Sequence, residues 1–177
     1  LYLSRFASER ADPYKKEYFF EEYRRQYGRT YLEDWPVLAV HARKRLELIE
    51  SIAERSLGKH RGLSMLDVGC AYGPFLAVAK ERGQEPYGID VAEDAARYVR
   101  EELGIPAEAG SFPEPQVAWR FGGPFDCLSL WYVIEHFEDL DLVLRTAAAL
   151  VRPGGILAFS TPSGGGISAR RDMKAFL

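Results

Sequence analysis

Cysteine is scarce: Cys70 and Cys127 are the only two in 177 residues. They form no framework of the kind that staples small secreted domains, so free thiols in a reducing, cytoplasmic setting are expected. Histidine is almost as rare. His41, His60 and His136 show no metal-ligand spacing, and no metal is expected. Positive charge has no excess: 23 Lys and Arg face 26 Asp and Glu, for a net charge of −3. A protein that coats nucleic acid needs a net basic face, so no nucleic-acid partner is expected. Arg24-Arg25, Arg43-Lys44-Arg45 and Arg170-Arg171 read as solvated faces. Long apolar runs are missing too, with none near the roughly 20 residues that span a bilayer. Leu1-Tyr2-Leu3-Ser4-Arg5 has neither the basic stretch nor the apolar core of a secretory signal. It also lacks an initiator methionine, which suggests a trimmed chain or the interior of a longer one.

What is present is enough apolar residue, 47%, for one well-buried core. Residues 1–58 read as a helical extension rich in aromatics. Asp12-Pro13 suits a helix start, Phe19, Tyr23 and Tyr27 recur on one face, and Gly28 ends that helix. A second helix begins near Asp34-Trp35-Pro36, buries Leu38, Ala42, Leu46, Ile49 and Ala53, and closes at Gly58. Tyr14, Tyr18 and Tyr31 add phenols beyond what packing needs, and the extension is expected to act as a lid over a site. The bland alternative is that it only covers the sheet.

Residues 59–177 change rhythm. Leu63–Val68, Pro86–Ile89, Ile105–Ala109, Phe125–Trp131 and Ile156–Ser160 read as strands. Pro74–Arg82, Ala92–Leu103 and Asp139–Val151 read as the intervening helices, and Pro153-Gly154-Gly155 as a turn. Strands alternating with helices pair in parallel through right-handed crossovers, so a doubly wound α/β sheet is expected. The Gly164-Gly165-Gly166 patch reads as a loop.

Such sheets bind ligands beyond the carboxyl ends of their strands. The first strand runs into Asp67-Val68-Gly69-Cys70-Ala71-Tyr72-Gly73-Pro74, with small residues at 69, 71 and 73 that let the backbone turn sharply. Asp90 ends the next strand, 21 positions after Gly69, where a carboxylate can accept both ribose hydroxyls. It also suits a helix N-cap. A dinucleotide fingerprint would need glycine at 69, 71 and 74, and the chain has Gly69, Ala71 and Pro74. Asp67 would repel a pyrophosphate and suits an ammonium-bearing ligand. S-adenosylmethionine has that ammonium, together with a sulfonium and an adenosine ribose.

The ordered set Leu66–Gly73, Asp90, Phe125-Asp126-Cys127-Leu128, Val133-Ile134-Glu135-His136 and Leu150-Val151-Arg152-Pro153-Gly154-Gly155 resembles class I S-adenosylmethionine-dependent methyltransferases. The nearest group contains the ubiquinone-type and other small-molecule O-methyltransferases. The resemblance implies a Rossmann-like parallel sheet in the order 3-2-1-4-5. It also implies a cofactor site made by Asp67, Gly69, Cys70, Ala71, Gly73, Asp90, Val91, Ser111, Phe112, Trp131 and Tyr132. Within it, Gly69–Gly73 would wrap the amino-acid part, Asp90 hold the ribose and Val91 lie on the adenine. Gly110-Ser111-Phe112 would border the adenine amino group, and Trp131 and Tyr132 the methionine. His136 would face the substrate, as a base or merely shaping the pocket.

Ala71 and Ser111 depart from the family's frequent Gly and Asp. The family's closing antiparallel hairpin has too few residues here, which would leave the fifth strand as an unpaired edge. The implied activity is methyl transfer to oxygen or nitrogen of a small-molecule acceptor, releasing S-adenosylhomocysteine, from a protein that can be a homo-oligomer. Two rivals stay open: an NAD(P)-dependent oxidoreductase, and a non-catalytic module of the same fold.

Overall fold

The computed structural model describes residues 23–162. The expected helix from Asp12-Pro13, with Tyr14, Tyr18, Phe19 and Phe20, lies outside the described residues, as do Gly164–Gly166 and Arg170-Arg171. Within them the chain runs α1 (Tyr23–Tyr27), α2 (Trp35–Leu57), β1 (Ser64–Val68), α3 (Pro74–Glu81), β2 (Glu85–Asp90) and α4 (Glu93–Glu101). It continues through β3 (Ala107–Ala109), α5 (Pro115–Ala118), β4 (Phe125–Trp131), a 3₁₀ turn (Ile134–His136), α6 (Leu140–Leu150) and β5 (Val151–Ser160). The five strands form one parallel sheet in the order β3-β2-β1-β4-β5. Both the class and the order match the expectation.

β1 and β4 lie at the centre and are buried nearly throughout, because a parallel strand covered on both faces has no solvent side. On one face α2 lays Ala39, Ala42, Leu46, Ile49 and Ala53 against Met65, Phe75, Val78, Ala79, Cys127 and Ile156. Leu46 is fully buried, and truncating it to alanine is expected to cost about 2–5 kcal/mol. The stripe is rotated slightly from the expected one: Ala39 is buried where Leu38 is only half-buried. Gly58, with φ +67°, ends α2 in the left-handed conformation that glycine favours. On the opposite face α6 contributes Val143, Ala147 and Leu150 to a cluster with Leu66, Ile89, Leu128 and Leu130. Asp139 caps α6 by accepting a hydrogen bond from Leu142 N at 2.9 Å.

Three local differences have physical causes. Pro153-Gly154-Gly155 is no separate turn: β5 spans it, with Phe125 opposite Val151 and Cys127 opposite Ile156. The three extra residues on β5 are absorbed as an irregularity in a margin strand, where proline does little harm. Ile105–Ala109 pairs only from Ala107. α5 and the 3₁₀ turn are too short to show a helical period in sequence.

A concavity of about 410 Å³ opens at the amino ends of the strands, beside Lys59, Ser64, Asp126 and Arg152. Its charges satisfy one another. Asp126 accepts from Lys59 Nζ and Ser64 N, each at 2.8 Å, and pairs with Arg152 Nε at 3.1 Å. This is a tie between strand ends, and the candidate site lies at the other edge of the sheet.

Candidate active site

Strand β1 delivers Asp67 to the carboxyl edge, where its side chain is 2% exposed. Ser129, opposite it on β4, donates its hydroxyl to Asp67 Oδ1 at 2.6 Å. Burial pushes the Asp67 carboxyl up to about 7, against the opposing pull of the Ser129 hydrogen bond and the Arg45 charge. Beyond Asp67 the backbone turns through Gly69, Ala71 and Gly73, all with positive φ. Ala71 holds φ +49° despite its Cβ, a mild strain of about 1 kcal/mol. A Cβ on Gly69 would meet Val133 Cγ2 well inside van der Waals contact. The tightness at Gly69 therefore comes from the segment after β4 rather than from room kept for a ligand.

Asp90, 5% exposed at the end of β2, ties this loop to the next one. Its Oδ2 accepts from Ala71 N at 2.7 Å and its Oδ1 from Ala92 N at 2.9 Å. Burial raises the Asp90 carboxyl, and the same two amides oppose the rise. Both oxygens keep lone pairs beyond these bonds. Two buried carboxylates bracket the turn, and no cation among the described residues is bonded to either.

The other expected residues divide. Val91 is exposed at the head of α4, and Ser111 is exposed after β3. Phe112 is buried, edge-on to Phe137 at 6.2 Å, and helps build the core beneath the site. The Cys70 side chain packs among Leu76, Ala96, Val99 and Ile105, leaving only its backbone to the loop. Both cysteines are buried free thiols, raised by that burial. Trp131 is half-buried, while Tyr132 is exposed with φ +58°. His136 ends the 3₁₀ turn in an exposed position.

Sequence reasoning missed two contributors. Arg45, on α2, stacks its guanidinium 4.4 Å from the Trp131 ring centre and 5.6 Å from that of Tyr132, and its charge reaches Asp67. Nothing in a run of Arg43-Lys44-Arg45 marks which cation turns inward. Ser129 was unmarked within a mostly apolar strand.

Tyr31, one of the phenols singled out in the sequence, packs against the turn after β1. Thr30 and Glu33 cap each other reciprocally, with Thr30 N donating to Glu33 Oε2 at 2.7 Å and Glu33 N to Thr30 Oγ1 at 3.2 Å. That box sets Tyr31, Leu32 and Trp35 onto Ala71, Tyr72, Ala92 and Ala95. Tyr31 lies 5.3 Å from Tyr23 and 6.2 Å from Tyr72, ring to ring. Burial, then the Asp67 charge, pushes its phenol well above the usual range.

A family model described as a methyltransferase domain matches residues 24–175. The chain belongs to that family. Among curated relatives, this methyltransferase domain is 34% identical over 136 residues to the ubiquinone biosynthesis O-methyltransferase of Bordetella avium, covering 75% of this chain and 52% of that one. It is 31% identical over 119 residues to the Chromobacterium violaceum protein of the same name, covering 66% and 48%. The chain thus spans about half the length of the curated relatives it matches. Solved structures share the fold. The aminopentose methyltransferase CalS10 of Micromonospora echinaspora superposes with a TM-score of 0.60 at 19% identity, over 71% of this chain and 51% of that one. A TehB-like methyltransferase from Corynebacterium glutamicum gives 0.60 at 19% identity, over 77% and 73%.

No helix among the described residues is long and apolar enough to cross a membrane. Among the same residues, no group of three or more His, Cys, Asp or Glu is arranged to hold a metal ion.

Proposed function

We propose that the protein moves the methyl group of S-adenosylmethionine onto oxygen or nitrogen of a small-molecule acceptor, leaving S-adenosylhomocysteine. The observation that carries this reading is the buried carboxylate of Asp67 beneath a positive-φ turn. A dinucleotide would bring its pyrophosphate to that turn, against an anion and at Pro74 in place of the third glycine. An amino-acid ligand brings an ammonium that Asp67 can pair with.

The residues present fit the group. Asp67 would hold its ammonium, Arg45 its carboxylate, and the free lone pairs of Asp90 its ribose hydroxyls. Gly69, Ala71 and Gly73 would present backbone to its amino-acid part, with Val91 and Ser111 at the adenine side. When bound, the group supplies a methyl carbon activated by a neighbouring sulfonium. The chain's own task is then to align the acceptor with that carbon and keep water out.

Tyr31, Leu32 and Trp35 cover the turn from the amino-terminal side, which supports the lid reading of residues 1–58. Aromatic faces beside a sulfonium contribute about 0.5–2 kcal/mol. Two buried free thiols support a reducing, cytoplasmic setting.

Isothermal calorimetry with S-adenosylhomocysteine and with NAD tests the reading. Micromolar or tighter binding of S-adenosylhomocysteine, with none of NAD, is expected. Binding of NAD alone refutes it.

A further inference from the structure

Among Gly69, Cys70, Ala71, Tyr72 and Gly73, only Tyr72 carries a large side chain, and it is 4% exposed. Its phenol donates to Asp94 Oδ2 at 2.7 Å, in the first turn of α4. Its ring packs with Ala92 and Ala95 and stands edge-on to Tyr98, 5.2 Å between ring centres. The same ring meets Tyr31, from the segment ahead of α2, at 6.2 Å. One side chain thus joins the turn to α4 and to the amino-terminal segment. The turn needs such a hold. Ala71 sits at φ +49°, where a Cβ is disfavoured, and the glycines at 69 and 73 impose no direction of their own. Two carboxylates keep Ala71 from relaxing. Asp90 holds Ala71 N at 2.7 Å from the end of β2, and Asp94 holds the next side chain from the start of α4. Asp90 also bonds Ala92 N and is the proposed ribose acceptor, whereas the Asp94 bond serves the turn.

We propose that Tyr72 is a positioning residue for the cofactor, fixing the Ala71 turn through Asp94 and coupling it to closure of the amino-terminal segment through Tyr31. The proposal rests on the methyltransferase reading, in which this turn presents its backbone to the amino-acid part of the ligand. A phenol donating to a carboxylate is a strong, directional bond, so it fixes the Tyr72 side chain and with it the backbone on either side. Tyr31 in turn rests on a ring whose position the turn sets. When a ligand holds the turn, Tyr72 gives Tyr31 a firm seat. When Tyr31 withdraws, the Tyr72 ring loses a neighbour and the turn loosens. Ligand binding and closure then favour each other, by the same factor in either direction.

The test uses the whole chain, with S-adenosylhomocysteine as the calorimetric probe. Tyr72→Phe keeps the ring and removes the hydroxyl, and it weakens binding about fivefold; Asp94→Ala weakens it about as much. The double variant is no weaker than either single one, because both substitutions remove the same bond. Asp94→Asn, which keeps an oxygen for the phenol, stays within about twofold of the parent. Both Asp94 variants lift its charge from Asp90 alike, so only the acceptor differs between them. A side chain that merely supported the fold would lower Tm and show no such rescue. Closure is read by trypsin after Arg29: S-adenosylhomocysteine slows this cut in the parent and not in Tyr72→Leu, which lacks the ring. The Asp94 variants leave every ring in place and decide the proposal even if a Tyr72 variant does not fold. The proposal is overturned if Tyr72→Phe and Asp94→Ala bind like the parent, or if their effects add. It is equally overturned if Asp94→Asn is as weak as Asp94→Ala, or if folded Tyr72→Leu keeps the protection at Arg29. Failure of the parent to bind S-adenosylhomocysteine overturns the methyltransferase reading itself, and this proposal with it.

Discussion

Replacing Asp67 by asparagine should stabilise the protein and weaken its ligand binding, each in a predictable pH window. Burial holds the Asp67 carboxyl at about 7 in the native state, against about 3.8 for an ordinary aspartate. Between those values the folded chain keeps a proton that the unfolded chain has released, so stability falls as pH rises from about 4 to 7. At about 1.4 kcal/mol per pKa unit, the whole displacement amounts to roughly 4 kcal/mol by pH 8. Asparagine keeps the shape and an oxygen for the Ser129 hydroxyl, and it carries no charge to bury. The variant and the parent should therefore match near pH 4 and diverge to at most about 4 kcal/mol at pH 8. For a chain of this size that is roughly 8–16 °C in Tm. Thermal unfolding followed by circular dichroism at pH 4.5, 6 and 8 measures it. Asp90 is present in both proteins, but its charge helps raise the Asp67 carboxyl, so the gap at pH 8 includes relief of that repulsion. Binding should move the opposite way. Losing the charge-assisted bond to an ammonium costs roughly 1.5–3 kcal/mol, or about 10- to 150-fold in S-adenosylhomocysteine affinity at pH 8. A stability gap that does not change with pH would refute the titration argument. Undiminished affinity would refute the assignment of Asp67 to the ammonium.

Asp90→Ala should weaken S-adenosylhomocysteine more than tenfold, and it should also lower stability by about 2–4 kcal/mol, because the Ala71 and Ala92 amides both lose their acceptor; calorimetry and urea unfolding report the two effects separately. Arg45→Met keeps the packing against Trp131 and removes the cation, so the Asp67 midpoint should rise and ligand affinity fall about tenfold, as read by binding measured across pH 5–8. Tyr31→Ala should reduce S-adenosylhomocysteine affinity several-fold and abolish ligand protection against proteolysis near Gly28. If neither changes, the segment is scaffold rather than lid.

The fold and half of the site were legible in the chain because they rest on local rules. The alternation of short apolar runs with amphipathic stretches dictates a parallel sheet, since only crossover helices can cover both faces of strands such as Leu66–Val68 and Phe125–Leu130. Asp67, the small-residue turn and Asp90 sit at strand ends, and a strand end is a position that sequence marks. Asp90 was legible as a carboxylate at a strand end but not as the cap of α4: Ala92 holds that position without a side-chain cap, and Asp90 accepts instead from the Ala71 and Ala92 amides.

What sequence did not mark depends on rotation and on neighbours distant along the chain. Arg45 and Arg43 are equivalent in composition, and only the angle at which α2 crosses the sheet turns Arg45 onto Trp131 and toward Asp67. Gly69 was legible as a tight turn, but Val133, 64 residues away, is what makes it tight. His136 drew attention by its chemistry, and the fold leaves it exposed at the end of the 3₁₀ turn while the Glu135 Oε2 atom beside it is buried. Burial, orphaned atoms and shifted protonation belong to the packed interior, so they exist only once strands and helices have met.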